Sequence, residues 1–328
     1  TYMHLMVYGE FVQSPQVDFA NALAAVLPTN LSCTYFVNSG TEAVEGAMKL
    51  AKRYTGRTEL IACQNSYHGS TQGALSLMGN EEFKQAYRPL LPDVNFIEYN
   101  LQADLAKITH KTAAVFIETV QGEAGIRIAD ESYMIALRAK CTETGTLLVL
   151  DEIQCGFGRT GKMFGFEHFD IVPDILLLAK GIGGGMPIGA FISSEEIMSV
   201  FSENPILGHI TTFGGHPVSC AAGLATLKTI VDEDLVNDVE TKGELFKSLL
   251  KHPAIREVRG KGLMLAAEFE SYDILKKIID GCIADGIITD WFLHCSNSMR
   301  IAPPLIITEE EIREACEIIL KNVSSLFS

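Results

Sequence analysis

Residues 175–180 read Ile175-Leu176-Leu177-Leu178-Ala179-Lys180, and a glycine-rich turn, Gly181-Ile182-Gly183-Gly184-Gly185-Met186-Pro187, follows at once. Five apolar residues in a row are too few for a buried helix and lack the alternation of a half-exposed strand. The run therefore predicts a strand covered on both faces. Working outward, six more short runs recur: Tyr35-Phe36-Val37, Leu60-Ile61-Ala62, Phe96-Ile97, Ala113 to Ile117, Leu147 to Leu150 and Ile188 to Ile192. Helix-like stretches separate them. Between the first two, Ala43, Ala47, Leu50 and Ala51 fall at i, i+4, i+7 and i+8, one buried face of a helix that starts just after Ser39-Gly40-Thr41. Buried strands joined through helices predict an α/β class, with a mostly parallel seven-stranded sheet flanked by helices. A helical stretch from about Pro217 to Val239 leads into a remainder that reads as a smaller C-terminal α+β unit, with Val258-Arg259-Gly260-Lys261-Gly262 and Met299 to Leu305 in it.

At about 150 residues per domain, the 328 residues predict two domains. We expect a large domain over 14–235 and a small one over 236–328, with 1–13 the remnant of an N-terminal segment. The chain opens Thr1-Tyr2-Met3-His4, with neither an initiator Met nor the basic and apolar regions of a signal peptide, and reads as beginning downstream of its natural start. Lys and Arg number 26 against 41 Asp and Glu, a net charge of −15, which argues against a nucleic-acid or anionic-membrane partner. No apolar run approaches the roughly 18 residues of a membrane span. The eight cysteines (Cys33, Cys63, Cys141, Cys155, Cys220, Cys282, Cys295, Cys316) form no CxxC pair and no Cys/His cluster. Neither a disulfide framework nor a metal site is expected, and small core residues in a reducing cytoplasm are.

Chemistry is expected where strands end, because ligands of an open parallel sheet gather at the carboxyl ends of its strands. Asn38-Ser39-Gly40-Thr41-Glu42-Ala43 sits where a strand turns into a helix, so it is either a plain N-cap or an anion site built on free N–H groups. Asp151, in Asp151-Glu152-Ile153-Gln154, reads as a loop acid or as a carboxylate able to keep a ring nitrogen protonated. Lys180 reads as a solvated amine or as a nucleophile whose pKa burial has lowered. Its glycine loop lacks the spacing of a dinucleotide fingerprint. Thr211-Thr212-Phe213-Gly214-Gly215-His216-Pro217 offers a second hydroxyl turn before a helix, and Tyr67-His68-Gly69 an aromatic face. Together these are the parts that an aldehyde cofactor with a phosphate and a pyridine ring requires.

In order along the chain, these residues resemble the class III family of pyridoxal-phosphate-dependent aminotransferases, fold type I, in the neighbourhood of the ornithine and acetylornithine enzymes. The resemblance runs from about Tyr35 to Leu305. It also rests on Glu118-Thr119-Val120-Gln121-Gly122-Glu123, Gly158-Arg159-Thr160-Gly161 and Arg300-Ile301-Ala302-Pro303-Pro304. It implies that Lys180 is the Schiff-base lysine and proton carrier, and that Asp151 binds the pyridinium nitrogen. Gln154 would lie by the ring hydroxyl, and Tyr67 would stack on the ring beside His68. Ser39, Gly40 and Thr41 would hold the phosphate, with Thr212 reaching in from the other subunit of a homodimer. Arg300 would take the α-carboxylate of glutamate or 2-oxoglutarate, with Glu123 as its alternative partner and Glu118 on the substrate side. The implied activity is a cytoplasmic ping-pong transaminase that moves an amino group from an ornithine- or acetylornithine-like donor to 2-oxoglutarate.

Two departures qualify the donor. Relatives that act on ornithine or acetylornithine usually carry Arg directly after the aromatic-His-Gly triplet, where Ser70 stands here. The family's N-terminal segment, which lines the substrate entrance, is also only partly represented. A glutamate-1-semialdehyde 2,1-aminomutase shares several of the turns and is the alternative enzyme. A homologue with a structural or regulatory role is the alternative without catalysis.

Overall fold

The computed structural model describes residues 1–5 and 11–327, so the N-terminal remnant expected over 1–13 lies partly outside the described residues. The seven apolar runs become the strands of one sheet. They are β1 (Cys33–Val37), β2 (Glu59–Cys63), β3 (Val94–Ile97), β4 (Thr112–Glu118) and, after a ribbon of β5 (Val120–Gln121) and β6 (Arg127–Ile128), β7 (Leu147–Asp151), β8 (Ile175–Ala179) and β9 (Gly189–Ser193). Their order is β1-β9-β8-β7-β4-β2-β3. β9 runs antiparallel to both of its neighbours. The reason is the short link from Ala179 to Gly189, a single 3-10 turn, whereas a parallel return needs a crossover of a dozen residues or more.

Side chains alternate between the two faces of this sheet. Val115, Ile117, Leu148, Leu150, Leu176 and Leu178 pack under α1 (Ser14–Val26), with further helices on that side from Glu131 to Thr144 and from Pro217 to Asp232. Ala114, Phe116, Val149, Ile175 and Leu177 pack under α2 (Gly40–Thr55), α3 (Gln72–Ser76) and Ile197. We number the other helices α4 (Glu131–Thr144), α5 (Glu195–Met198), α6 (Pro217–Asp232) and α7 (Val239–Leu249). The expected face of α2, with Ala43, Ala47, Leu50 and Ala51, is fully buried. The helix starts two residues earlier than expected, at Gly40, because Ser39 Oγ already accepts from the Glu42 N–H.

A second sheet, all antiparallel, is built from β10 (Glu257–Lys261), β11 (Met264–Glu268), β12 (Trp291–Phe292) and β13 (Cys295–Ile301) in the order β10-β11-β13-β12. It packs with α7, α8 (Tyr272–Ala284) and α9 (Glu309–Phe327) around Val239, Phe246, Leu265, Phe269, Ile278 and Ile312. Two expected elements are shorter than their sequence patterns. The helical stretch from Pro217 stops at Asp232, because Asp234 turns left-handed (φ +50°) and the Leu235 N–H returns to the Ile230 carbonyl. The run from Met299 pairs only as far as Ile301, because Pro303 and Pro304 have no N–H to continue a ladder. Among the described residues no helix is long and apolar enough to cross a membrane.

Candidate active site

The carboxyl ends of β4, β7 and β8 deliver Glu118, Asp151 and Lys180 side by side, with Glu118 opposite Asp151 in register. Lys180 is the first residue past its strand and takes a left-handed backbone (φ +50°), a conformation that costs a residue with a side chain about 1–3 kcal/mol. That turn aims the amine into a cavity of about 450 Å³. Ser39, Gly40 and Thr41 line it at one end and Tyr67, His68 and Ser70 at another, with Asp151, Ile153 and Gln154 on the wall between. A second cavity of about 220 Å³ opens on the other side of Lys180, lined by Arg159, Arg300 and Met264. Because it borders both spaces, Lys180 remains accessible to water. The surrounding walls nonetheless desolvate the ammonium and lower its pKa, against the pull of Asp151, Glu123 and Glu118.

Asp151 is held at both oxygens. His68 Nδ1 lies 2.8 Å from Oδ2, and the Ile153 N–H donates to Oδ1 at 3.0 Å. Glu118 is as deeply buried but has no hydrogen-bond partner at Oε2. Desolvation first, then the charges of Asp151 and Glu123, raise its pKa well above the usual carboxylate range. Burial thus drives Glu118 toward its protonated form, while hydrogen bonds fix both oxygens of its neighbour Asp151. Glu152, next to Asp151, points out of the cavity and accepts from Thr119 Oγ1 and from the N–H groups of Gly165 and Phe166. Burial pushes it up to about 7.

At the start of α2 the N–H groups of Gly40 and Thr41 lie in the first turn, where a helix has no acceptors of its own to offer them. Gly40 also has a packing reason: a Cβ there would sit 2.8 Å from Ile153 Cδ1. Gly69 (φ +135°) brings its backbone against Thr41, whose Oγ1 bonds Thr71 Oγ1 at 2.6 Å. Across the cleft, Arg300 Nη2 donates to both oxygens of Glu123 at 3.0 Å. Glu123 also accepts from Gln154 Nε2 at 3.2 Å and from the Leu293 N–H at 3.2 Å. Burial opposes its ionisation, yet Arg300 and these donors outweigh burial and hold its pKa below the ordinary value.

The fold therefore gathers Ser39, Gly40, Thr41, Tyr67, His68, Glu118, Asp151, Gln154 and Lys180 around one cavity, with Glu123 and Arg300 on its far side. It does not bring Thr212 there: that residue is exposed, between the exposed Ile210 and Phe213. Nor does Thr212 cap α6, whose first turn is capped by His216 Nδ1. The sequence reading missed Asp290, which holds Arg300 Nε at 2.9 Å, and Phe292, whose ring lies 4.4 Å from the guanidinium carbon. It also missed Arg259, which donates to the Gly125 carbonyl at 2.7 Å and so ties the Glu123 loop to the second sheet. Arg259 finds its partner 134 positions away, and Asp290 and Phe292 reach Arg300 because β12 pairs with β13, so no local motif marks them.

Over residues 1–323 the chain matches the model of the family described as aminotransferase class-III. It is 41% identical over 308 residues to an acetylornithine aminotransferase of Methanopyrus kandleri, covering 93% of this chain and 78% of that one. It is 41% identical over 297 residues to an acetylornithine aminotransferase of Caldanaerobacter subterraneus, with 87% and 74% covered. Among solved structures it superposes on an ornithine aminotransferase of Toxoplasma gondii, described with pyridoxal phosphate partly occupying its active site. The TM-score is 0.91 at 30% identity, over 98% of this chain and 79% of that one.

Proposed function

The chain belongs to the class III aminotransferases, which use pyridoxal phosphate, and from that premise we propose that it carries an amino group between two substrates in two half-reactions at Lys180. The donor is a primary amine of the ornithine or acetylornithine class, as in the relatives' names. The acceptor is a 2-oxo acid, which the family resemblance gives as 2-oxoglutarate. The observation that carries this reading is the row of Glu118, Asp151 and Lys180 at three adjacent strand ends, facing a helix start across one cavity.

The donor set fits the cofactor. The first turn of α2 suits a phosphate, Asp151 suits a protonated ring nitrogen, and Tyr67 and Ile153 supply the two faces between which a flat ring can lie. Pyridoxal phosphate supplies an aldehyde that holds the amino group in transit and a ring that takes up the electrons of the broken C–H bond. The chain supplies the rest. His68 and the Ile153 N–H keep Asp151 oriented as an acceptor, which holds a proton on the ring nitrogen. Gln154 is placed to reach the ring hydroxyl. Desolvation by the cleft lowers the pKa of Lys180 Nζ, which favours its work as nucleophile and then as the base that moves a proton from the substrate carbon. Arg300 takes the substrate's carboxylate when Glu123 releases it, and Glu123 neutralises Arg300 when the substrate has none there.

Two domains, 14–235 and 236–328, meet at this cleft, and a second copy of the chain completes it. The exposed Ile206, Ile210 and Phe213 around Thr212 support that pairing. The test is Lys180→Ala. The purified protein should lose both turnover with a donor panel and the cofactor's borohydride-fixed attachment, while its circular dichroism stays native. Turnover that survives in this variant would sink the reading.

A further inference from the structure

The ribbon of β5 and β6 follows the carboxyl end of β4, but its turn lies on the second sheet, and strand register shows what holds it there. Arg259 on β10 stands opposite Ala266 on β11, and Ala266 stands opposite Arg300 on β13. The two arginines therefore share one cross-strand row and one face of the sheet. Ala266, with a single methyl, leaves room between them for the ribbon, whose Val120 and Ile126 pack there with Met264, Ala266 and Phe292. Arg300 takes the side chain of Glu123. Arg259 takes the backbone two residues further on, where its Nε donates to the Gly125 carbonyl at 2.7 Å.

The two grips differ in kind. Arg259 is 9% exposed, and the neighbouring row, in which Glu257, Glu268 and Ser298 face one another across β10, β11 and β13, supplies its counter-charges. Its Nη1 donates to Glu257 at 3.0 Å and to Glu268 at 2.5 Å, and its Nη2 to Ser298 Oγ at 3.1 Å. With those donors spent on the sheet, Nε reaches beyond it, a division of labour that a planar guanidinium permits and a point-like ammonium does not. The acceptor is a buried main-chain carbonyl, out of reach of a substrate. Arg300 borders the cleft and holds a side chain that can swing away. The turn is also closely fitted, since a Cβ on Gly125 would lie 2.6 Å from Cys295 Sγ. A second main-chain hold comes from the His294 N–H, which donates to the Glu123 carbonyl at 3.0 Å. All of these groups belong to one chain.

We infer that Arg259 is a positioning residue for the exchange at Arg300: it pins the turn to the second sheet, so that Glu123 leaves Arg300 by rotating its side chain alone and returns to the same place. Its role rests on those given above to Arg300 and Glu123. Without the pin, Glu123 competes less well for the guanidinium, and a substrate carboxylate should bind more tightly. General damage to the fold would weaken binding instead.

The probe is 2-oxoglutarate, which has no amino group to give, titrated calorimetrically into resting holoenzyme. Arg259→Lys keeps a charge beside Glu257 and Glu268 but gives up the Nε bond. Gly125→Ala crowds the turn away from Cys295 and leaves Arg259 in place. Each should tighten 2-oxoglutarate about three- to tenfold, the scale of one hydrogen bond, and neither should tighten it further in Glu123→Gln protein. Unchanged or weaker binding in a folded variant, or equal tightening in the Glu123→Gln background, overturns the inference. Amide exchange of the unaltered holoenzyme decides it without any substitution. Saturating 2-oxoglutarate should deprotect Leu293, whose N–H loses the Glu123 carboxylate, while Gly125, Ile126 and His294 keep their protection. Deprotection of Gly125 and Ile126 means that the turn itself moves, and overturns it as well. If 2-oxoglutarate does not bind, the carboxylate role of Arg300 falls and this one with it, whereas amino transfer at Lys180 stands or falls on Lys180→Ala.

Discussion

Glu123→Gln tests the cleft most directly, because it removes one charge and little else. Glu123 accepts two contacts from Arg300 Nη2, one from Gln154 and one from the Leu293 N–H. A substrate carboxylate can occupy the guanidinium only by displacing this partner. Two unit charges about 4 Å apart attract by about 4 kcal/mol at an effective dielectric of 20, but most of that is exchanged rather than lost when one carboxylate replaces another. What Gln removes is the charge-assisted part of the resident pair, about 1.5–3 kcal/mol, since its own carbonyl still accepts from one donor. At 1.4 kcal/mol per factor of ten, the KM of a carboxylate-bearing amino acid should fall about ten- to hundredfold with kcat little changed. An amine without a carboxylate should suffer the opposite effect, because Arg300 then faces the cleft uncompensated. The assay is the half-reaction of both donor types in both proteins. A KM that rises or stays level for the carboxylate-bearing donor would refute the displacement argument.

Three further outcomes follow from the same geometry. Asp151→Asn leaves a neutral acceptor at the ring nitrogen and should lower kcat by at least about a hundredfold with cofactor still bound, as read by steady-state kinetics and the absorption spectrum. Glu152 has its pKa raised from 4.5 to about 7 on folding, so the folded protein holds a proton that the unfolded chain releases. The stability tied to Glu152 is therefore fully present below about 4.5 and declines as pH rises to about 7. The stability of the natural protein relative to Glu152→Gln should fall by about 3 kcal/mol across that window in urea titrations, at 1.36 kcal/mol per pKa unit. A flat difference would mean that Glu152 is ionised throughout. Gly69→Ala forces a Cβ within 2.6 Å of Thr41 Cβ at φ +135° and should weaken cofactor affinity at least about tenfold by titration of the apoprotein, the low end of a strain of about 1–3 kcal/mol.

Much of the site was legible before any coordinates. Lys180 and Asp151 each follow an apolar run, and such a run is a strand whose carboxyl end points at a crevice, so both could be placed by local pattern alone. The same holds for Ser39 to Thr41, where turn chemistry marks a helix start. Thr212 needs more than local pattern. Its turn resembles the one at Ser39, yet within one chain the first lines the cavity and the second lies on an exposed face, where the contact expected of it is with another subunit.

The sequence by itself determined the class, the seven strands and the residues at their ends, because hydrophobic periodicity and turn chemistry are properties of neighbours along the chain. Only the tertiary structure decided how those residues work together. It set Glu118 beside Asp151 and left one oxygen of Glu118 without a partner, turned His68 toward Asp151, and closed Arg300 on Glu123 from 177 positions away with Asp290 and Phe292 around it. Charge state and specificity arise from burial and from distances between atoms remote in sequence, and no local pattern encodes those.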